Sequence, residues 1–223
     1  MHLQFREALD LEATAQAVDL GHAPADLLVM SFADSELSAL AAAREPHHPS
    51  LRLASLGRLR HPLSIDLYLE KTASQAKAIV IRLLGGLDYW RYGVEEVADL
   101  ARRRAIPLAL LPGDGGDDPR LASLSTVDAA LWSALDDCFR QGGPANLRLA
   151  LDLASHAAGL GPPPAARPEA LPPCGDFPLP AAEGVPVLIV FYRSHRLAGD
   201  TSMVSALAAA LAEQGLAPHA LHV

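Results

Sequence analysis

The feature that most constrains this chain is the spacing of four short apolar runs, each closed by glycine or polar residues. They are DLLVMS at 26–31, LRLAS at 51–55, AIVIRLLGG at 78–86 and PLALLPGD at 107–114. Segments with helical spacing lie between them, at 34–44, 62–73 and 93–104. Strands that are apolar throughout, rather than at alternate residues, suit a sheet covered on both faces. Their alternation with amphipathic helices makes that sheet parallel. The pattern predicts an α/β domain with a doubly wound, flavodoxin-like sheet. The helix at 93–104 is the best signed: Glu95 and Glu96 fall in its first turn and Arg102, Arg103 and Arg104 in its last, matching the macrodipole. Val94, Val97, Ala98 and Ala101 form its inward stripe. Pro62 suits the first turn of the preceding helix, with Asp66 near its start.

Residues 117–161 read as added helices, interrupted at Gly142-Gly143-Pro144, where one helix ends and the next begins. The stretch 161–184 holds eight of the 18 prolines and no periodicity, which reads as an extended linker. After it the α/β pattern restarts with VPVLIVFY at 185–192 as a buried-strand candidate, a helix at 202–215 and a second strand at 217–223. One strand–helix–strand unit cannot cover its own sheet faces. The expected organisation is an N-terminal domain over 1–160, a linker over 161–184 and, over 185–223, the start of a second α/β domain that the chain does not complete.

Composition removes several function classes. With 18 basic and 26 acidic residues the net charge is −8, which lacks the basic face that nucleic-acid binding needs. Cys138 and Cys174 are isolated, so neither a disulfide framework nor a zinc site is indicated. No leader pattern or membrane-length apolar run occurs, and a cytoplasmic protein is expected. Neither Lys71 nor Lys77 follows a glycine, so there is no phosphate-binding Walker loop. Gly113-Asp114-Gly115 lacks the third glycine of a dinucleotide site. In DGGDDP at 114–119 the closing glutamate of a calcium loop is replaced by Ser125. His47 and His48, between Pro46 and Pro49, are adjacent with no further ligand at a suitable spacing; they read as solvated loop residues rather than metal ligands. No metal site is expected.

Ligands in open parallel sheets collect beyond the carboxyl ends of the strands. Those ends carry Ser31 with Asp34, Gly85 with Gly86, Gly113 with Asp114, and the loop RSHRLAGDT at 193–201. Glycines there either let backbone amides approach a ligand or simply permit turns. Tyr89, Trp90 and Tyr92 after Gly86 are equally open to two readings, a binding surface or a staple of the helix onto the sheet. The loop at 193–201 has the richest chemistry: Arg193 and Arg196 offer guanidinium forks, His195 a titrating ring, Ser194 a hydroxyl and Asp200 a carboxylate. Its plainer reading is a solvated loop in which Asp200 or Thr201 caps the next helix.

Five segments of this sequence resemble the large subunit of aerobic cobaltochelatase, a family related to the porphyrin-binding large subunit of magnesium chelatase. They are AVDLGHAPADLLVMSFADSELSALAAA (17–43), LRLASLGRLRHPLSIDLYLE (51–70), IRLLGGLDYWRYGVEEV (81–97) running on to IPLALLPGD (106–114), QGGPANLRLAL (141–151) and VFYRSHRLAGDTSMVSAL (190–207). The last segment, and the stretch around 142–146, are similar in the magnesium branch as well. Family members are several times longer than 223 residues, and the family's usual acidic residue in the helix after Thr201 is Ser205 here.

The resemblance implies ATP-dependent insertion of Co²⁺, as substrate, into the corrin ring of hydrogenobyrinic acid a,c-diamide during aerobic cobalamin synthesis. It also implies partners: an AAA+ ATPase subunit that hydrolyses the ATP, and a further chelatase subunit, with no role for nucleic acid or membrane. Within it, His195 is the expected proton relay or metal contact, and Arg193, Ser194, Gly85, Gly86 and Asp200 are expected to bind substrate. A non-catalytic docking module and a free-standing flavodoxin-like small-molecule binder are the alternatives.

Overall fold

The computed structural model describes residues 16–114, 116 and 118–223. The reading of the first fifteen residues as leaderless lies outside them, and DGGDDP falls there in part. Strands β1 (Leu27–Ser31), β2 (Leu51–Ser55), β3 (Ala78–Leu83) and β4 (Leu108–Pro112) form a parallel sheet in the order β2-β1-β3-β4. Leu27 pairs with Leu51 on one side and with Ala78 on the other, and Ile79 pairs with Leu108. The chain winds outward from β1 to β2, then returns to the other side of β1 for β3. This reversal is the topological switch point of a doubly wound sheet, and the α/β expectation is met.

Strand periodicity divides the core in two. Leu28, Met30, Ile79, Ile81, Leu83, Leu108 and Leu110 face one layer, and Leu27, Val29, Ala78, Val80, Ala109 and Leu111 the other. The first layer is closed by α2 (Pro62–Lys71), the single-turn α3 (Gly86–Tyr89), α4 (Arg91–Arg104) and α5 (Pro119–Leu124). Val94, Val97, Ala98 and Ala101 are fully buried, as their spacing predicts. Because α4 begins at Arg91, Glu95 and Glu96 fall in its second turn. The opposite face is covered by α1 (Asp34–Ala43), α6 (Ala129–Gln141) and α7 (Gly143–Ala157). On the outer edge of β4, Thr126 Oγ1 accepts from Leu108 N–H at 2.8 Å, Ser125 Oγ accepts from Leu110 N–H at 2.9 Å, and Trp132 Nε1 donates to Leu110 O at 2.8 Å. Side chains thus replace the next strand and blunt that edge.

A second sheet follows, in the order β5-β7-β6: β5 (Gly175–Phe177), β6 (Val185–Phe191) and β7 (Leu216–His222). β5 lies within the proline-rich stretch and pairs antiparallel with β7, while β6 and β7 are parallel. The expected loop after β6 is a short helix, α8 (Arg193–Ala198), followed by α9 (Ser202–Glu213). Thr201 holds the N-cap position of α9, yet its side chain makes no capping bond. The prediction of a fully buried strand at 185–192 holds for one face only. Ile189 and Phe191 pack with Val204 and Ala208 of α9, whereas Leu188 and Val190, on the other face, are exposed. The reason is that α9 covers a single face of this sheet. Among the described residues no helix is long and apolar enough to cross a membrane.

Candidate functional site

Gly85 and Gly86 have φ of +83° and +71°, so the turn out of β3 uses backbone that side chains strain to adopt. The aromatic group after them divides. Trp90 is buried and its Nε1 donates to Leu59 O at 2.6 Å; its ring lies where a Cβ on Gly93 would fall, at 2.3 Å. It is the staple. Tyr89 and Tyr92 face outward: Tyr89 OH accepts from Arg60 Nη2 at 2.9 Å, and Tyr92 OH donates to Asp66 Oδ1 at 2.7 Å, which pushes the phenol up to about 12. Asp118 ties the turn down from α5, accepting from Leu87 N–H at 3.1 Å.

His195 of α8 and Asp200, in the turn after it, lie near each other, with Nδ1 and Oδ2 3.8 Å apart. Arg193 is turned toward the proline-rich stretch and donates through Nη2 to Leu171 O at 2.8 Å and through Nε to Pro172 O at 3.2 Å. Arg196 does the same further on, donating to Asp176 O at 2.9 Å, and His222 reaches Pro172 O at 3.1 Å. From the other side, Asn146 of α7 clamps Glu169: its Nδ2 donates to Glu169 O and its Oδ1 accepts from Glu169 N–H, both at 2.8 Å. The proline-rich stretch is therefore strapped to both sheets by side-chain bonds to its backbone. The helix–helix break at 142–144 and the short helix α8 also meet here. A Cβ on Gly142 would lie 2.9 Å from Leu197, and one on Gly199 3.3 Å from Pro144. The QGGPAN and YRSHRLAGD motifs are the two halves of one joint.

That joint roofs a cleft of about 450 Å³ at the carboxyl ends of β1, β3 and β4, where a doubly wound sheet places its ligand. Ser194 and Leu197 come from α8, Gly113 from the end of β4, and Glu36, Arg82 and Arg140 supply charge. Of the residues singled out in the sequence, Ser194 and Gly113 line the cleft; Gly85, Gly86, Asp114, Arg193, His195 and Asp200 are not among its lining residues. Arg82 was not singled out. Its signal was an arginine inside an otherwise apolar strand run, AIVIRLL. Arg82 Nε donates to Glu36 Oε1 at 3.1 Å, and the guanidinium lies 5.0 Å from the Phe139 ring centroid. Glu36 in turn accepts from Ser31 Oγ at 2.7 Å. Asp136 of α6, buried behind, pairs with Arg140 one turn later.

Elsewhere, His47, His48 and Asp152 bring three ligand-type atoms within 4.8 Å of one another. The expectation of solvated histidines fails for His48, whose side chain is buried. Its Nδ1 accepts from Glu45 N–H at 2.8 Å, so in the neutral ring the proton sits on Nε2 and points to Asp152 Oδ1 at 3.0 Å. A protonated Nε2 has no lone pair for a metal, and the arrangement is a hydrogen-bonded tether of the 45–49 loop to α7.

No known protein-family profile matches the chain. Among curated proteins it is 37% identical over 217 residues to the aerobic cobaltochelatase subunit CobN of Pseudomonas aeruginosa, an alignment covering 89% of this chain and 17% of that protein. It is 45% identical over 157 residues to CobN of a Sinorhizobium species, covering 70% of this chain and 12% of the relative. A solved structure described as the catalytic subunit of cobaltochelatase from Mycobacterium tuberculosis superposes with a TM-score of 0.72 at 27% identity, over 88% of this chain and 16% of that one. The chain belongs to the cobaltochelatase large-subunit family. It spans less than a fifth of the length of the CobN proteins it matches.

Proposed function

We propose that this chain forms part of a cobaltochelatase large subunit, which holds a corrin ring, hydrogenobyrinic acid a,c-diamide, while Co²⁺ is inserted at the expense of ATP. The similarity to two CobN proteins along most of the chain is the observation that carries this reading. The ATP is hydrolysed by an AAA+ partner working with a further subunit, in the cytoplasm; the lack of a Walker loop in the sequence is in keeping with that division of labour. Cobalt(II) sheds bound water and the macrocycle loses protons as the metal enters, so the subunit has to supply a base and change shape as its motor turns over.

In this reading His195 is the proton-handling group, with a carboxylate oxygen of Asp200 3.8 Å from its Nδ1. Arg193 holds the strap through two nitrogens and presents Nη1, unpartnered among the described residues, to a peripheral carboxylate. The test is His195→Ala in the complete subunit with its partners. Chelation is expected to fall roughly a hundredfold or more, the usual scale for a lost acid–base group, with folding unchanged by circular dichroism. Normal turnover in that variant removes His195 from the mechanism.

A further inference from the structure

A further pocket, of about 230 Å³, lies between the first turns of α2 and α4. Ile65, Tyr89, Trp90 and Tyr92 give it apolar walls, and its charged lining is Arg60 and Arg91, with no carboxylate. That selection runs against the net charge of −8. Asp88 and Glu95 answer the charge of Arg91. Arg60 has no carboxylate partner among the described residues: Nη2 donates to Tyr89 OH, while Nε and Nη1 make no hydrogen bond there. Neither atom is closed to solvent, in contrast to Arg82 Nη1. The guanidinium is nevertheless held in place. Its carbon lies 5.4 Å from the Tyr89 ring centroid and 5.8 Å from that of Phe32, and those rings meet edge to face at 5.1 Å. An arginine anchored on two rings loses little further freedom when it takes up an anion. Tyr89 and Tyr92 are 51% and 40% exposed although each hydroxyl is already bonded, so ring surface is what they have left to offer.

We propose that this pocket binds an aromatic carboxylate, with its carboxylate forked onto Arg60 and its ring against Tyr89 and Tyr92. Each property of the ligand answers one of the pocket. The uncompensated charge is a single guanidinium, which matches a monoanion; a phosphate dianion calls for a second free cation, and Arg91 is engaged. Nη2 carries a second hydrogen, so with Tyr89 OH on one edge of the guanidinium the other edge still offers two parallel N–H groups to a carboxylate. The open tyrosine rings suit a flat apolar body in offset or edge contact. A pocket of this volume is smaller than the roughly 300 Å³ at which sites for whole cofactors begin, and it accommodates one ring with its substituent. None of these groups is used in the metal-insertion reading, so the inference fails or survives apart from it.

The test titrates benzoate, benzamide and propionate into the isotope-labelled 223-residue chain, followed by NMR at the Arg60 side chain and the Tyr89 and Tyr92 rings. Benzamide keeps the ring and removes the charge. Propionate removes the ring and keeps the carboxylate, as a glutamate side chain of another protein would present it. Saturable shifts with benzoate are expected, with binding weaker by roughly tenfold or more for each of the other two. Arg60→Gln, shown to be folded by its amide spectrum, should weaken benzoate binding by roughly tenfold or more; Arg60→Lys, which keeps the charge without the fork, should weaken it less. No saturable benzoate binding up to its solubility limit overturns the proposal, and so does benzamide binding equally well. Propionate binding as tightly as benzoate overturns the aromatic ligand and leaves an acidic protein side chain as the occupant. Full affinity in a folded Arg60→Gln chain also overturns it. Should neither variant fold, the three ligands on the unaltered chain decide the matter alone.

Discussion

Asp118 does three jobs with one carboxylate. It caps α5 by accepting from Arg120 N–H at 3.1 Å, accepts from Leu87 N–H across the double-glycine turn, and takes a forked contact from Arg120 Nε and Nη2, both at 2.9 Å. The Arg120 contact is the main cause that holds its acid constant down at about 2, below the ordinary 3.8. A carboxyl whose constant is lowered by folding stabilises the fold above its unfolded value, and that contribution is lost as the pH falls from about 4 to about 2. Replacing Asp118 by Ala is expected to cost about 1–2 kcal/mol at neutral pH, on the scale of a lost N-cap. Arg120 is half exposed, so its ion pair adds little to that figure. Urea midpoints measured from pH 6 to pH 2 check both parts: Asp19, Asp26 and Asp88 are also held low and make both proteins weaken in acid, but the fall should be smaller in the variant by the Asp118 increment.

At the scale of elements, the joint between α7 and α8 depends on Gly142. With φ of +58° and ψ of −164° it occupies backbone reserved for glycine, and Leu197 crowds the space a side chain would need. Gly142→Ala is expected to destabilise by about 1–3 kcal/mol from backbone strain, with added loss of α8 packing. A thermal melt, together with faster amide exchange at residues 193–198 than elsewhere, would show it. The strands and long helices were legible because their apolar periodicity is a direct consequence of burial on two faces. The six-residue α8 was not, since one and a half turns carry no periodicity, and RSHR reads as a polar loop until Leu197 is seen against Gly142. Site residues divide along the same line. Ser194 and the cleft's position could be read from the strand ends. Arg82 and Asn146 could not, because Glu36 and Glu169, the partners that place them, come from segments distant in sequence, and a charge inside an apolar run does not name its counter-charge. His48 was misread for the same reason: its partner, Asp152, lies 104 residues away.

For the whole molecule, the balance between charge and exposed apolar surface decides behaviour in solution. The first sheet is covered on both faces and its β4 edge is blunted by side chains. β6 is an outer strand of the second sheet; Leu188 and Val190 on its uncovered face are exposed, as are Val185 at its start, Tyr192 just after its end, and Met203 and Leu207 on α9. An apolar strand edge of this kind templates further pairing. Against it stands a net charge of −8, which repels like copies over distances that salt shortens to about 8 Å at physiological ionic strength. The isolated chain should therefore self-associate more strongly as salt is raised, the reverse of what an ion-paired interface would do. Sedimentation velocity at low and high salt measures this. Leu188→Lys with Val190→Lys places charge on the strand without touching Ile189 or Phe191, which pack inward. This double variant should stay monomeric at high salt with its melting temperature little changed. Association that persists in it, or that weakens with salt, would locate the contact on another surface.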